Sequence, residues 1–281
     1  MAAGHSVRAL ARREQDRRGG VTWISGSLED RASLDLLCEG ADAIIHVAGV
    51  INAYNRAGFE TGNVTGTAAI LESAHRKDVR RFVHVSSLAA REPKLSDYGA
   101  SKARSEELVR DSGLDWAIVR PPAVYGPGDK EMLELFKMAK RGFVLLPPDG
   151  RFSLMHADDV AELLLALADP AAPSKLTLEP DDGHPGGWTH RQFASLLGAV
   201  LGRDPATFSA PAPLVRGVAW LDRVLRGRNA KLTPDRAGYF CHPDWVSSSS
   251  LAPPADLWGP HIKTRDGVRD TARWYEANGW L

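Results

Sequence analysis

Short apolar runs alternate with amphipathic stretches along the first 125 positions. HSVRALA (5–11) and VTWIS (21–25) predict strands, and Gly26 ends the second. SLEDRASLDLLCEG (27–40) sets Leu28, Leu34, Leu36 and Leu37 at helical spacing, with Gly40 suited to close the helix. DAIIHVAG (42–49) is apolar at nearly every position, the pattern of a strand covered on both faces. NVTGTAAILESAHRKD (63–78) predicts a helix, RFVHVSS (81–87) a strand, YGASKARSEELVRDSG (98–113) a helix and DWAIVRP (115–121) a strand. Strand and helix in alternation predict parallel βαβ units, hence an α/β fold with a doubly wound sheet of the Rossmann type.

Beyond residue 125 the pattern predicts helices at 131–142, 156–169, 189–202 and 213–231. Connectors rich in proline, glycine and aspartate lie at 179–187 and 203–213. These predict a core over residues 1–180 that takes its last strand and helix from 150–180. A smaller, mostly helical lobe follows over 181–281, with 126–150 contributing to it. There is no internal repeat.

Composition changes this picture little. The 281 residues carry 35 basic and 35 acidic side chains, so net charge gives no pull toward nucleic acid or an anionic membrane. The longest apolar runs, 41–51 and 160–168, are too short to span a bilayer, and the first residues lack the apolar run of a signal peptide. Cys38 and Cys241 have no metal-ligand spacing, nor do His184, His190 and His242, so no metal is expected. A reducing, cytoplasmic setting fits this usage of cysteine. His156, ahead of Asp158 and Asp159, suits a helix cap.

Candidate chemistry begins at DYGASK (97–102). Tyr98 and Lys102, four residues apart on one helix, share a face. A lysine cation there favours tyrosinate, although moving a phenol from about 10 to near 7 takes roughly 4 kcal/mol. Ser86 and Ser87 stand at the end of the preceding strand, on the sheet edge where ligands bind in open α/β folds. A phenol, an ammonium and a hydroxyl make a general acid–base site for a carbonyl or alcohol. The alternative is a packed Tyr98 and a solvated Lys102; position directly after a strand ending in two serines favours catalysis.

These residues resemble the extended short-chain dehydrogenase/reductases, or NAD-dependent epimerase/dehydratases. The likeness runs through DAIIHVAG, NVTGT, VHVSS, YGASK, VRPPAVYGPGD (119–129), LMHADDVA (154–161) and the ending DGVRDTARWYEANGWL (266–281). It implies Ser87 as the group polarising the substrate oxygen, Tyr98 as proton donor or acceptor, and Lys102 as the group lowering the tyrosine and holding a ribose hydroxyl. It also implies that Val47, Ala48, Gly49 and Asn63 lie along a dinucleotide, with Pro121, Pro122 and Val124 facing its nicotinamide. Ser27 and Leu28 stand where the family carries an adenine-side contact, without its aspartate. Arg12 and Arg13, with no acid before Glu14, suit a 2′-phosphate, so NADP is preferred over NAD.

The family's first strand and glycine-rich turn, which carries the pyrophosphate on a helix N-terminus, have no counterpart in MAAGHSVRALARR. That strand would lie between those at 5–11 and 42–49. The favoured explanation is a start that lies further upstream; a degraded relative and a partner that fills the gap are the others.

The expected substrate is a small-molecule ketone or aldehyde, or the corresponding alcohol. Nucleotide-sugar epimerisation or dehydration and a non-catalytic nucleotide-holding role are the alternatives. Arg216, Arg223, Arg226 and Arg228 could meet a diphosphate but suit a solvated helix face better. Trp188, Trp220, Trp245 and Trp258 could line an apolar pocket but suit core packing better. A homodimer through 63–76 and 98–112 is the family habit. The 281-residue chain is expected to bind dinucleotide weakly, and an upstream strand with its glycine loop to restore binding. Equal affinity of the two chains in a fluorescence titration with NADPH would defeat this.

Overall fold

The computed structural model describes residues 4–16, 19–227, 230 and 232–281. Its first half runs β1 (Val7–Ala11), β2 (Val21–Ser25), α1 (Arg31–Cys38), β3 (Ala43–His46), α2 (Arg56–Phe59), α3 (Gly66–Arg76), β4 (Arg81–Val85), α4 (Asp97–Asp111) and β5 (Asp115–Val119). Then come β6 (Ala123–Tyr125), α5 (Leu133–Lys140), β7 (Phe143–Leu146), β8 (Arg151–Phe152), β9 (Leu154–His156), α6 (Ala157–Ala168) and β10 (Leu176–Leu178). The remainder is β11 (Trp188–Thr189), α7 (His190–Leu201), β12 (Ala206–Ser209), α8 (Ala212–Arg226), α9 (Pro234–Phe240), β13 (Asp244–Trp245) and α10 (Thr264–Ala277).

Alternation along the central strands builds three layers. In β4 and β5, Phe82 and Ile118 turn to one face, against Leu34, Ile70 and Val109 of α1, α3 and α4. Val83, Ala117 and Val119 turn to the other, against Leu163 and Leu167 of α6. Side chains successive along a strand point to opposite faces, so a run apolar at every position is one covered twice. The parallel sheet has the order β10-β5-β4-β3, with β10 paired to β5 and α6 packed on the sheet.

β1 and β2 pair in parallel as a separate two-stranded sheet. Among the described residues no strand is hydrogen-bonded between β1 and β3. The break falls where the family's first strand would lie. Past β5 a second core gathers Tyr125, Phe136, Leu197, Val268 and Tyr275 around α5, α7 and α10. His156 caps α6 through its ring, which accepts from the Asp158 N–H.

One buried carboxylate fixes α4 against the sheet. Glu106 of α4 is wholly buried. Its Oε1 accepts from Ser86 Oγ at 2.5 Å and Arg120 Nε at 2.8 Å; its Oε2 accepts from Arg120 and Arg110, both at 2.7 Å. Arg120 also donates to Glu179, itself buried, which accepts from Arg91 and the Ser248 N–H. The network ties the ends of β4, β5 and β10 to α4. Removing one partner of such a set leaves an uncompensated buried charge. Glu106→Ala is expected to lower unfolding free energy by about 3–5 kcal/mol. Arg110→Ala, at the partly exposed end, is expected to cost under about 1 kcal/mol, with urea denaturation the check on both.

Candidate active site

The site forms where α4 begins. Ser96 caps the helix, its Oγ accepting from Gly99 N–H at 2.9 Å. A Cβ on Gly99 would stand 2.6 Å from the Ala89 carbonyl oxygen, so only glycine lets α4 start this close to the 3-10 turn Leu88–Arg91. That turn is capped by Ser87, whose Oγ accepts from Ala89 N–H at 3.2 Å. The approach brings the Ser87 hydroxyl near enough to the Tyr98 phenol to pull it down. Of the two serines at the strand end, Ser86 is engaged by Glu106, which leaves Ser87 for the site.

Lys102, one turn further, is buried and donates to the Val85 carbonyl at 2.7 Å. Burial pulls its ammonium down to about 8, against a smaller opposing pull from Glu106. Burial pushes the Tyr98 phenol up, opposed only by the Ser87 hydroxyl. Desolvation is thus the largest influence on the Tyr98 phenol, with Lys102 one helical turn away on the same face.

The expected cofactor residues fall into three groups. Gly49 lies against the catalytic helix: a Cβ there would meet Asn63 Oδ1 at 2.9 Å and Lys102 Nζ at 3.8 Å. Asn63 sits in a π-helical turn, Glu60–Thr65, accepts from Val50 N–H at 2.6 Å and donates to Val50 O and Ser101 Oγ. It therefore clamps the loop after β3, with Val47, Ala48 and Gly49 left exposed. Such π-turns recur at functional sites. In the second group, the buried Pro121 accepts from Leu88 N–H, and Pro122 and Val124 continue into β6 beside it. In the third, Arg12 and Arg13 are exposed just past β1, Ser27 Oγ accepts from Glu29 N–H, and Leu28 packs on Gly66 of α3. No printed contact joins this third group to Tyr98.

Other participants gave no sequence signal. Asp235 at the start of α9 accepts from the backbone N–H of Asp97, and burial pushes its carboxyl up. Tyr239, on the same helix, is close enough for Tyr98 to raise its phenol, after a larger effect of burial. An open hollow of about 500 Å³, lined by Arg56, Leu95, Ser96, Ala100 and Asp235, flanks the helix start. Beneath the site His46 and His84 stack at 5.5 Å, bonded to Thr67 and Ser105. Burial holds His46 down to about 3 and His84 well below its usual value, so both are neutral. No group of three or more metal-binding side chains exists among the described residues.

A family model described as NAD(P)H-binding matches residues 1–170. A ceramide reductase of Caulobacter vibrioides is 38% identical over 93% of this chain and 82% of its own. A 4-hydroxy-2-methyl-3-oxo-4-farnesyl-3,4-dihydroquinoline-1-oxide ketoreductase of Stigmatella aurantiaca is 30% identical over 80% and 75%. Among solved structures, a UDP-glucose 4-epimerase of Thermotoga maritima superposes with a TM-score of 0.72 at 17% identity, covering 99% of this chain and 93% of that one.

Burial of Lys102 has a measurable consequence. In the unfolded chain a lysine keeps its proton to about pH 10.5, whereas folded Lys102 releases it near 8. Between these values the unfolded state binds more protons, so stability rises with pH; below 8 both states are protonated and the dependence vanishes. The rise from pH 8 to 10 is expected to be about 2 kcal/mol, and Lys102→Met to lack it. Urea titrations of both proteins at each pH check this, and parallel curves would refute it.

Proposed function

The chain belongs to the NAD(P)H-binding extended short-chain dehydrogenase/reductases, and from that premise we propose that it reduces a ketone on an apolar small molecule, with NADPH as the preferred cofactor. The reading rests on one observation above all: the Tyr98 phenol, raised by burial, lies near the Ser87 hydroxyl and one helical turn from the buried Lys102. The ceramide reductase and ketoreductase names of the relatives support reduction, and a lipid-like substrate, over sugar epimerisation.

The residues present fit one end of a dinucleotide. Gly49 keeps open, beside Asn63 and Lys102, the space that a Cβ would fill. Lys102 and the Val47–Gly49 backbone would hold the nicotinamide ribose, Pro121, Pro122 and Val124 the ring, and Arg12 and Arg13 a 2′-phosphate. The bound cofactor supplies a hydride to the carbonyl carbon.

Ser87 Oγ–H donates to the substrate oxygen and fixes it beside Tyr98. The Tyr98 hydroxyl delivers its proton to that oxygen as negative charge develops there, leaving tyrosinate next to the Lys102 cation. Because burial keeps the phenol protonated, the proton is in place at neutral pH for reduction. The reverse reaction needs tyrosinate and is favoured by alkaline conditions.

Tyr98→Phe is expected to lower kcat for ketone reduction by about 10²–10⁴-fold with NADPH affinity unchanged. Wild-type turnover by this variant would remove Tyr98 from the mechanism. Arg12→Ala with Arg13→Ala is expected to weaken NADPH about tenfold, roughly one lost charge-assisted contact, and to leave NADH unaffected. Equal weakening of both, read by fluorescence titration, would refute the 2′-phosphate role.

A further inference from the structure

Helix α8 turns the wrong side to water. Of its fifteen residues only Ala219 is buried. Leu214, Val218, Trp220, Leu221, Val224 and Leu225 are all exposed, from 48% at Val218 to 73% at Leu225. At 3.6 residues per turn they fall, with Gly217, on one arc of roughly 160° that holds no charged residue. The charged residues take the rest of the circumference. Arg223 lies over the Tyr54 ring at 3.8 Å and donates to the Tyr54 carbonyl; Asp222 pairs with Arg226 and accepts from Leu232 N–H. Arg216 and Arg226 are exposed, Arg223 is half-buried against Tyr54, and Arg228 lies outside the described residues; leucines, valines and a tryptophan meet solvent as well. Trp220 is neither core nor pocket, unlike the buried Trp245 and Trp258.

A contiguous apolar face of this kind marks an interaction surface. We infer that α8 docks on the surface of an anionic phospholipid bilayer, lying in its plane with the leucine–tryptophan face among the acyl chains. Charge favours this occupant. Arg216 borders one edge of the arc and Asp222 the other; behind them lie Arg223, stacked on Tyr54, and Arg226, paired with Asp222, so α8 carries three arginines against one acid. Arginines at the edge of an interfacial helix reach lipid phosphates while their stems follow the apolar surface. A second copy mated through the same face would bring two net-positive helices together. The zero net charge of the chain hides this, because the asymmetry is confined to one helix.

Arg223 also fixes the location. Tyr54 belongs to the loop after β3, which carries the exposed Val47 and Ile51 and is clamped beside Lys102 by Asn63. Helix α8 thus packs beside the loop bordering the candidate active site, with its apolar face turned away from Tyr54. The inference does not depend on the proposed reaction.

The test is flotation of the full chain with phosphatidylcholine vesicles containing about a third phosphatidylglycerol, an anionic surface. The chain is expected to rise with these vesicles, and at least tenfold less with phosphatidylcholine alone. The double variant Leu221→Glu, Leu225→Glu is expected to stay at the bottom with unchanged circular dichroism and melting temperature, since both positions are exposed. A folded wild type that remains at the bottom would overturn the inference, as would a variant that floats equally well. A wild-type dimer in sedimentation that the variant abolishes, with no flotation of either, would assign the face to a second copy instead.

Discussion

A carboxylate taken wholly out of water must have its oxygens satisfied, and Glu106 meets that demand with groups from several elements. Ser86 comes from the end of β4, Arg120 from the end of β5, and Arg110 from one turn along α4. Satisfying them together leaves α4 little freedom to slide or rotate on the sheet. Tyr98 and Lys102 lie eight and four residues upstream on that helix, so the same constraint sets them against Ser87 and Val85. Arg120 carries the constraint onward to Glu179, and Glu179 to Arg91 and Ser248. Such networks add less to stability than to uniqueness of arrangement, because desolvation offsets much of the attraction.

Much of the core was legible because its signals are local. The runs at 42–49, 81–87 and 115–121 are apolar at consecutive positions, and only a strand buried on both faces uses such a run fully. Tyr98, Lys102 and Ser87 were legible because a helix fixes the four-residue spacing and a βα connection fixes where the serine falls. Gly99 stood in the quoted motif, but its reason, an oxygen of Ala89 in its path, is a tertiary fact.

What escaped the sequence depends on neighbours distant along the chain. The direction of Tyr98's shift is set by burial, which the four-residue spacing to Lys102 does not encode. The outward face of α8 escaped because periodicity reveals an amphipathic helix without saying which side meets the body. Asp235, 138 residues after Asp97, caps the catalytic helix through a contact no local pattern encodes.

That cap has a bearing on how such a chain can diversify. Asp235 and Tyr239 lie outside the nucleotide-binding half, yet Asp235 accepts from the Asp97 N–H beside Tyr98, and Tyr98 is near enough to raise the Tyr239 phenol. Remodelling 233–240 to admit a new ligand would therefore also disturb the alignment of Tyr98. Selectivity and reactivity are coupled traits in this architecture, so lineages exploring new ligands are channelled toward changes elsewhere on the rim. The short stretch from Thr233 to Phe240 should evolve slowly despite lying outside the nucleotide-binding half.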